Sequence, residues 1–372
     1  MQKNKREFSI GGLKIKIPII QGGMGVGVSL SGLAASVANE GGVGVISAAG
    51  LGLVHRNPLL NYLEANIEGL QNEIRKAKEK STKGVIGVNI MVAMTNFTDL
   101  VRTSISEKID IIFSGGGLPL DLPKFLIPDS ITKLVPIISS GRAAKIICDK
   151  WKSRYDYLPD AIVVEGPKAG GHLGFKKSLL ENPNNSLDMI VSDVVKEVKV
   201  FEDKYKKEIP VIAGGGIYTG EDIYNIMQHG AKAVQIGTRF VTTKECDAPM
   251  KFKQIYIDAS ENDVEIIDSP VGMPGRAVKS SFLEKVKQGF KIPVKCPFHC
   301  IKSCNMSSSP YCIMLALYNA YKGNMNNGFA FAGTNAYKAT SISTVKEIFA
   351  ELLSDWQIAK DNAIKIALSG KK

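Results

Sequence analysis

The chain has 372 residues, of which 44% are hydrophobic, 22% charged and 7% aromatic, the proportions of a globular protein rather than a disordered or fibrous one. Lys and Arg number 47 against 36 Asp and Glu, a net charge of +11; this suits an anionic partner such as a nucleotide cofactor, an acidic carrier protein or nucleic acid, but no zinc-finger, RNP or Arg/aromatic signature accompanies it, so a basic solvated surface without nucleic acid is the preferred reading. No apolar run approaches the ~18 residues of a membrane span, and the basic opening residues 1–6 lead into no apolar segment, so a soluble cytoplasmic protein with neither membrane contact nor signal peptide is expected.

Eight short, β-branched runs recur along the chain, at residues 17–20, 43–47, 85–89, 110–114, 134–139, 161–165, 210–213 and 233–236. Most are continuously apolar rather than alternating, the pattern of a parallel sheet covered on both faces. Helical segments separate them at 30–39, 58–80, 96–108, 141–152, 187–199 and 220–229. Eight strands alternating with helices over roughly 240 residues predict an α/β fold, a (β/α)8 TIM barrel, with a doubly wound open sheet as the alternative. The rhythm breaks after Asp247, where Ser269-Pro270-Val271-Gly272-Met273-Pro274-Gly275-Arg276, a Cys-rich segment and a helical run at 313–321 follow. The expected division is a barrel over 1–279 and a smaller Cys-containing C-terminal extension over 280–372 packed on it. The long stretch at 50–61 is expected to cover part of the barrel mouth.

Glycine clusters follow the strands: Gly22-Gly23-Met24-Gly25 after the first, Gly115-Gly116-Gly117 after the fourth, Gly170-Gly171 past the sixth, Gly214-Gly215-Gly216 after the seventh and Gly237 after the eighth. In a barrel all five converge on one mouth, where glycine lets backbone approach a ligand. The pair Gly214-Gly215-Gly216 and Gly237-Thr238, with Thr219 as a candidate N-cap of the intervening helix, matches the phosphate cradle formed by the last two loops of such barrels and a helix N-terminus. Of four histidines, His172 alone lies on a glycine-rich mouth loop, where imidazole can serve as acid, base or hydrogen-bond donor; a loop histidine capping carbonyls is the plain alternative. His55, His229 and His299 read as structural.

Four of the six cysteines, Cys296, Cys300, Cys304 and Cys312, form a C-x3-C-x3-C-x7-C array with His299 interleaved. On a helix the first three would share one face, and four thiolates could hold an iron–sulfur cluster or zinc. Reduced structural thiols and redox-active pairs are the alternatives, since the spacing matches neither common zinc sites nor ferredoxins. Cys148 and Cys246 read as core residues.

The motifs Pro18-Ile19-Ile20-Gln21-Gly22-Gly23-Met24-Gly25, Gly87-Val88-Asn89-Ile90-Met91, Ala169-Gly170-Gly171-His172, Ala213-Gly214-Gly215-Gly216-Ile217 and Gln235-Ile236-Gly237-Thr238-Arg239-Phe240 resemble those of the FMN-dependent nitronate monooxygenases, formerly called 2-nitropropane dioxygenases. They are also similar to those of the flavin-dependent enoyl-acyl-carrier-protein reductases. The resemblance spans about residues 17–279 and is more specific for the superfamily than for the reaction. It implies FMN bound non-covalently in the barrel mouth, with the phosphate on Gly215, Gly216, Gly237 and Thr238 and Gln235 nearby. It further implies the flavin ring against Gly22, Gly23 and Met24, with Asn89 and Ser140 close to it and Gly170 and Gly171 letting their loop approach. His172 matches the family's catalytic histidine. Many relatives carry an acidic residue at the position of Lys168, so the lysine changes local charge by about two units and would favour an anionic substrate or NAD(P)H, unless it is simply solvated.

The activity implied first is oxidation of alkyl nitronates with dioxygen. The alternatives are an NAD(P)H-dependent enoyl-thioester (enoyl-ACP) reductase and a non-redox phosphate-binding barrel. The partners expected are a small-molecule substrate and NAD(P)H or an acyl carrier protein, with a homodimer left open.

Overall fold

The computed structural model describes residues 8–57, 59–81, 83–290, 296 and 298–369. The basic opening at 1–6 therefore lies outside the described residues, as do Pro58, Lys295 and Pro297. A short hairpin comes first: β1 (Phe8–Ile10) and β2 (Leu13–Ile15) pair antiparallel. The turn joins them through Gly11 and Gly12, both at positive φ, as a two-residue hairpin loop requires.

The strands β3 (Ile19–Gln21), β4 (Val43–Ser47), β5 (Val85–Met91), β6 (Ile111–Gly115), β7 (Lys133–Ile138) and β8 (Ile162–Glu165) run in chain order around a barrel. After β9 (Gly171–His172), which lies outside it, β10 (Val211–Gly214) and β11 (Ala233–Ile236) close the barrel back onto β3, every pairing parallel. The (β/α)8 architecture is thus present, and the eight apolar runs are its eight strands, displaced by at most one or two residues at their ends.

The connecting helices are α1 (Ser31–Asn39), the short α2 (Leu51–Val54), α3 (Tyr62–Lys80), α4 (Phe97–Ser106), α5 (Gly141–Tyr155), α6 (Leu187–Tyr205) and α7 (Gly220–Gln228). Their boundaries follow local chemistry. Asn61 and Glu64 form a capping box at the start of α3, and Thr219 and Asp222 form one at α7. In contrast, Leu30 gives α1 no side-chain cap. Asp247, distant in sequence, accepts from the N–H groups of Leu30, Gly32 and Leu33 at 2.7–3.1 Å, and Glu73 accepts from Ser31 at 2.7 Å.

Two apolar clusters result. Ile20, Val43, Val45, Ile111, Phe113, Val135, Val163, Ile212 and Ala233 fill the barrel interior, and Ile10 and Ile15 of the hairpin join this cluster. The larger cluster packs the helices on the outer strand faces.

The C-terminal part contains α8 (Thr238–Val241), α9 (Met250–Ile257), β12 (Val264–Asp268), β13 (Pro274–Val278), α10 (Ser281–Lys287), α11 (Ile313–Tyr321) and α12 (Val345–Ser369). β12, β13 and β9 form a three-stranded antiparallel sheet, so the Ser269–Arg276 segment is a hairpin turn and strand beside the mouth. α12 packs on α7, where a side chain on Gly220 would meet the Leu352 carbonyl at 2.2 Å. Among the described residues no helix is long and apolar enough to cross a membrane.

Candidate active site

A cavity of about 550 Å³ opens at the C-terminal end of the barrel. Its lining brings together all twelve residues expected around a cofactor: Gly22, Gly23, Met24, Asn89, Ser140, Gly170, Gly171, Gly215, Gly216, Gln235, Gly237 and Thr238. His172 lines it as well. These positions come from the ends of six barrel strands, and the barrel register gathers them on one rim.

The glycines are there for space. A Cβ on Gly23 would lie 2.3 Å from Asn89 Cβ, and one on Gly216 would lie 2.9 Å from Lys168 Cβ. Gly215 and Gly216 both sit at positive φ, at 101° and 85°, giving a concave backbone turn of the kind that receives anions. Thr219 caps the α7 N-terminus as expected. The Asp222 carboxylate accepts from the N–H groups of Tyr218 and Thr219, which precede the helix, at 2.9 Å, and Thr219 Oγ1 accepts from Asp222 N–H at 3.1 Å. The Gly215-Gly216 turn and the Gly237-Thr238 step both line the cavity. Ser140 both lines the cavity and caps α5, accepting from Ala143 N–H at 3.2 Å.

His172 is held by residues the sequence reading left without a role. Its Nε2 lies 2.8 Å from Ser269 Oγ, in the turn between β12 and β13. Its ring meets Phe331 edge-on, with centroids 4.9 Å apart. Main-chain pairing of β9 with β13 sets Gly275 opposite His172 and Arg276 opposite Gly171. The buried Arg276 guanidinium donates to the Pro167 and Ala169 carbonyls at 2.5 and 2.7 Å, tying down the approach to the histidine. Burial pushes the His172 imidazole down to about 4, so it is neutral at pH 7.

Lys168 stands exposed at the rim and is the one cationic side chain among the described lining residues.

The cover of the mouth differs from expectation. No described residue of 50–61 lines the cavity; α2 packs on α3 instead. Leu317 and the segment 329–335 line it. Gly333 N–H donates to Thr238 Oγ1 at 3.0 Å, Thr334 N–H to the Lys168 carbonyl at 3.2 Å, and Asn335 Nδ2 to the Gly216 carbonyl at 2.7 Å. The Tyr256 hydroxyl donates to the Phe331 carbonyl. Residues of the C-terminal extension thus build part of the site, a contribution that no motif in their own sequence signals.

The cysteine array is not helical. His299 takes φ 44°, a left-handed conformation that ends any helix through it, and the Asn305 side chain turns the chain by accepting from Ser307 N–H at 3.0 Å. Cys296, Cys300, Cys304 and Cys312 are free thiols, as are the buried Cys148 and Cys246. Burial, with the other three cysteines adding to it, pushes the Cys300 thiol up to about 12, which keeps it protonated. Among the described residues no group of three or more His, Cys, Asp or Glu side chains is arranged to hold a metal ion, so the expected cluster or zinc ligation does not fit this arrangement. Of the remaining histidines, His55 contacts Glu73 at 2.9 Å, and His229 Nδ1 lies 3.4 Å from Ser192 Oγ.

Comparison with known proteins gives the family and the fold. The nitronate monooxygenase family model matches residues 6–355. A probable nitronate monooxygenase of Staphylococcus aureus strain JH9 is 27% identical over 298 residues, covering 74% of this chain and 79% of that protein. Among solved structures, FabK from Thermotoga maritima superposes with a TM-score of 0.72 at 26% identity, over 95% of this chain and 96% of that one. A nitroalkane oxidase from Streptomyces ansochromogenes shares the fold, with a TM-score of 0.71 at 20% identity, over 94% and 98% of the two chains. The chain belongs to the nitronate monooxygenase family.

Proposed function

We propose that this protein is an FMN-dependent oxidoreductase that oxidises alkyl nitronates with dioxygen. The observation that carries the reading is a neutral, half-buried His172 facing a roomy, glycine-rimmed cavity with one cation at its edge. The volume of about 550 Å³ lies in the range of small-molecule and cofactor sites. The two-glycine cradle would be filled by any Cβ, which suits close backbone approach to a phosphate. Gly215, Gly216, Gly237 and Thr238 would hold that phosphate, and the Thr238 hydroxyl, which accepts from Gly333, keeps its own proton to donate. Gly22, Gly23, Met24, Asn89, Ser140, Gly170, Gly171 and Gln235 would line the ring and its chain. When bound, FMN supplies the electron transfer between substrate and oxygen.

The protein's own part is binding and polarisation. An imidazole held near 4 is a poor base for a neutral nitroalkane but a competent N–H donor to a nitro oxygen. That favours a substrate that arrives already ionised. Lys168 adds attraction for an anion at the entrance. Ser269 and Phe331 keep the ring of His172 in place.

The test is an absorbance spectrum of anaerobically purified protein, with a nitronate or NADPH then added. Flavin bands that bleach with nitronate and not with NADPH are expected. Bleaching by NADPH alone would favour the enoyl-thioester reductase, and no flavin even after reconstitution with FMN would leave only a phosphate-binding barrel. His172→Ala is expected to lower turnover while leaving FMN bound; unchanged turnover would remove His172 from the reaction.

A further inference from the structure

Inward-facing positions alternate along the barrel strands, and the alternation continues one step beyond the apolar interior. Val45, Val163, Ile212 and Ala233 belong to that interior. Two residues further along the same strands stand Ser47, Glu165, Gly214 and Gln235, all lining the cavity. They make a floor of neutral groups with a single carboxyl, Glu165.

Among the described residues no hydrogen bond or ion pair engages that carboxyl. Glu165 is half-buried and lines the cavity. The flanking strand β10 carries no ionisable residue, and Lys133 of β7 stands at the opposite end of the barrel beside Gly11. α6, packed on the outer face of β8, buries Ile190, Val191, Val194, Val198 and Phe201. The other ionisable groups lining the cavity are Lys168, His172, Tyr218 and Tyr256. Burial pushes Glu165 up to about 8, pushes His172 down to about 4, and raises both tyrosines above their ordinary value.

We propose that Glu165 couples cofactor binding to protonation, so that FMN fills the cavity tightly only when this carboxyl carries its proton. The inference rests on the flavin reading above. Water in the cavity solvates an ionised Glu165, and a ligand that covers the floor removes that water without supplying a cation. The neutral acid loses far less and can donate a hydrogen bond to the ligand. Above the pH at which free Glu165 ionises, binding must therefore take up one proton.

The experiment titrates apoprotein with FMN by flavin fluorescence between about pH 6 and pH 9.5, and counts protons exchanged in weakly buffered solution. Affinity of the wild type is expected to be flat to about pH 8 and then to fall by about tenfold per pH unit, with close to one proton taken up per FMN at the alkaline end. Glu165→Gln, neutral at every pH, is expected to bind with no such fall. PH-independent binding by the wild type, or the same fall in both proteins, would overturn the proposal and assign any dependence to Lys168 or a tyrosine. Should Glu165→Gln not fold, the wild-type proton count decides alone. Failure of FMN to bind at any pH would instead remove the flavin reading and this inference with it.

Discussion

Gly170→Ala tests whether the C-terminal segment closes the site as described. A Cβ on Gly170 would sit 2.5 Å from both the Ala332 carbonyl carbon and the Gly333 nitrogen, and 3.0 Å from the Ala332 oxygen. Unstrained carbon contacts lie at about 3.5–4.0 Å, so the methyl is about 1 Å too close to backbone, which cannot rotate aside. That backbone is tied at three points: Ala332 N–H to the Arg276 carbonyl at 3.0 Å, Gly333 N–H to Thr238 Oγ1 at 3.0 Å, and Thr334 N–H to the Lys168 carbonyl at 3.2 Å. Moving it by an ångström sacrifices one or two of these bonds at about 1 kcal/mol each, on top of overpacking at about 1–3 kcal/mol. We expect a loss of about 3 kcal/mol, a melting temperature lower by about 5 °C or more, and FMN affinity reduced at least about tenfold. Gly171→Ala is the internal control. Gly171 has φ 82° but nothing within 4 Å of its Cβ, so only conformational strain of about 1 kcal/mol applies. Thermal unfolding and FMN titration of both variants give the answer. If Gly170→Ala proves as stable as Gly171→Ala and binds FMN like the wild type, the 329–335 segment does not close on the 167–172 loop as this packing requires.

Ser269→Ala removes the hydroxyl partner of His172 Nε2, and kcat/KM toward a nitronate is expected to fall about three- to tenfold with flavin content unchanged, as steady-state kinetics on the purified variant will report. Because burial holds His172 near 4 while the unfolded chain titrates near 6.5, the unfolded state binds the extra proton between those values. Stability is therefore complete above about pH 6.5 and falls as pH drops toward 4, by at most about 3 kcal/mol because cavity water screens part of the effect. Urea unfolding at pH 7 and at about pH 4.5 should show a larger loss for the wild type than for His172→Gln; equal losses would mean the imidazole is not desolvated. Asp247→Ala strips three N–H groups at the start of α1 of their acceptor and is expected to cost about 2–3 kcal/mol in urea unfolding, whereas a cost near zero would show that water replaces the carboxylate without penalty.

The family and fold were legible because barrel strands bury both faces. That makes each strand a continuous apolar run, and Val43–Ser47 and Ala233–Ile236 appear in the chain as they do in the fold. The convergence of the twelve predicted positions on one cavity was legible for a related reason: a barrel sends every strand end to one rim, so glycine clusters scattered over more than two hundred residues meet there. Glu165 was within reach of the same logic, since alternation from Val163 places it inward, but a single carboxyl at a strand end carries no motif.

The helical geometry considered for the cysteine array is absent, because the left-handed His299 and the Asn305 turn bend the backbone. The hold on His172 was beyond sequence reasoning altogether. Ser269 is 97 residues away and Arg276 more than a hundred, and nothing local selects them. The same holds for Asp247, which supplies α1 with the cap that Leu30 cannot. Periodicity, glycine and local capping act through neighbours along the chain, so the sequence by itself determined the barrel and its rim. Which carboxylate caps a distant helix, which hydroxyl orients the histidine and which segment covers the mouth depend on contacts between residues far apart in sequence, and only packing decided those.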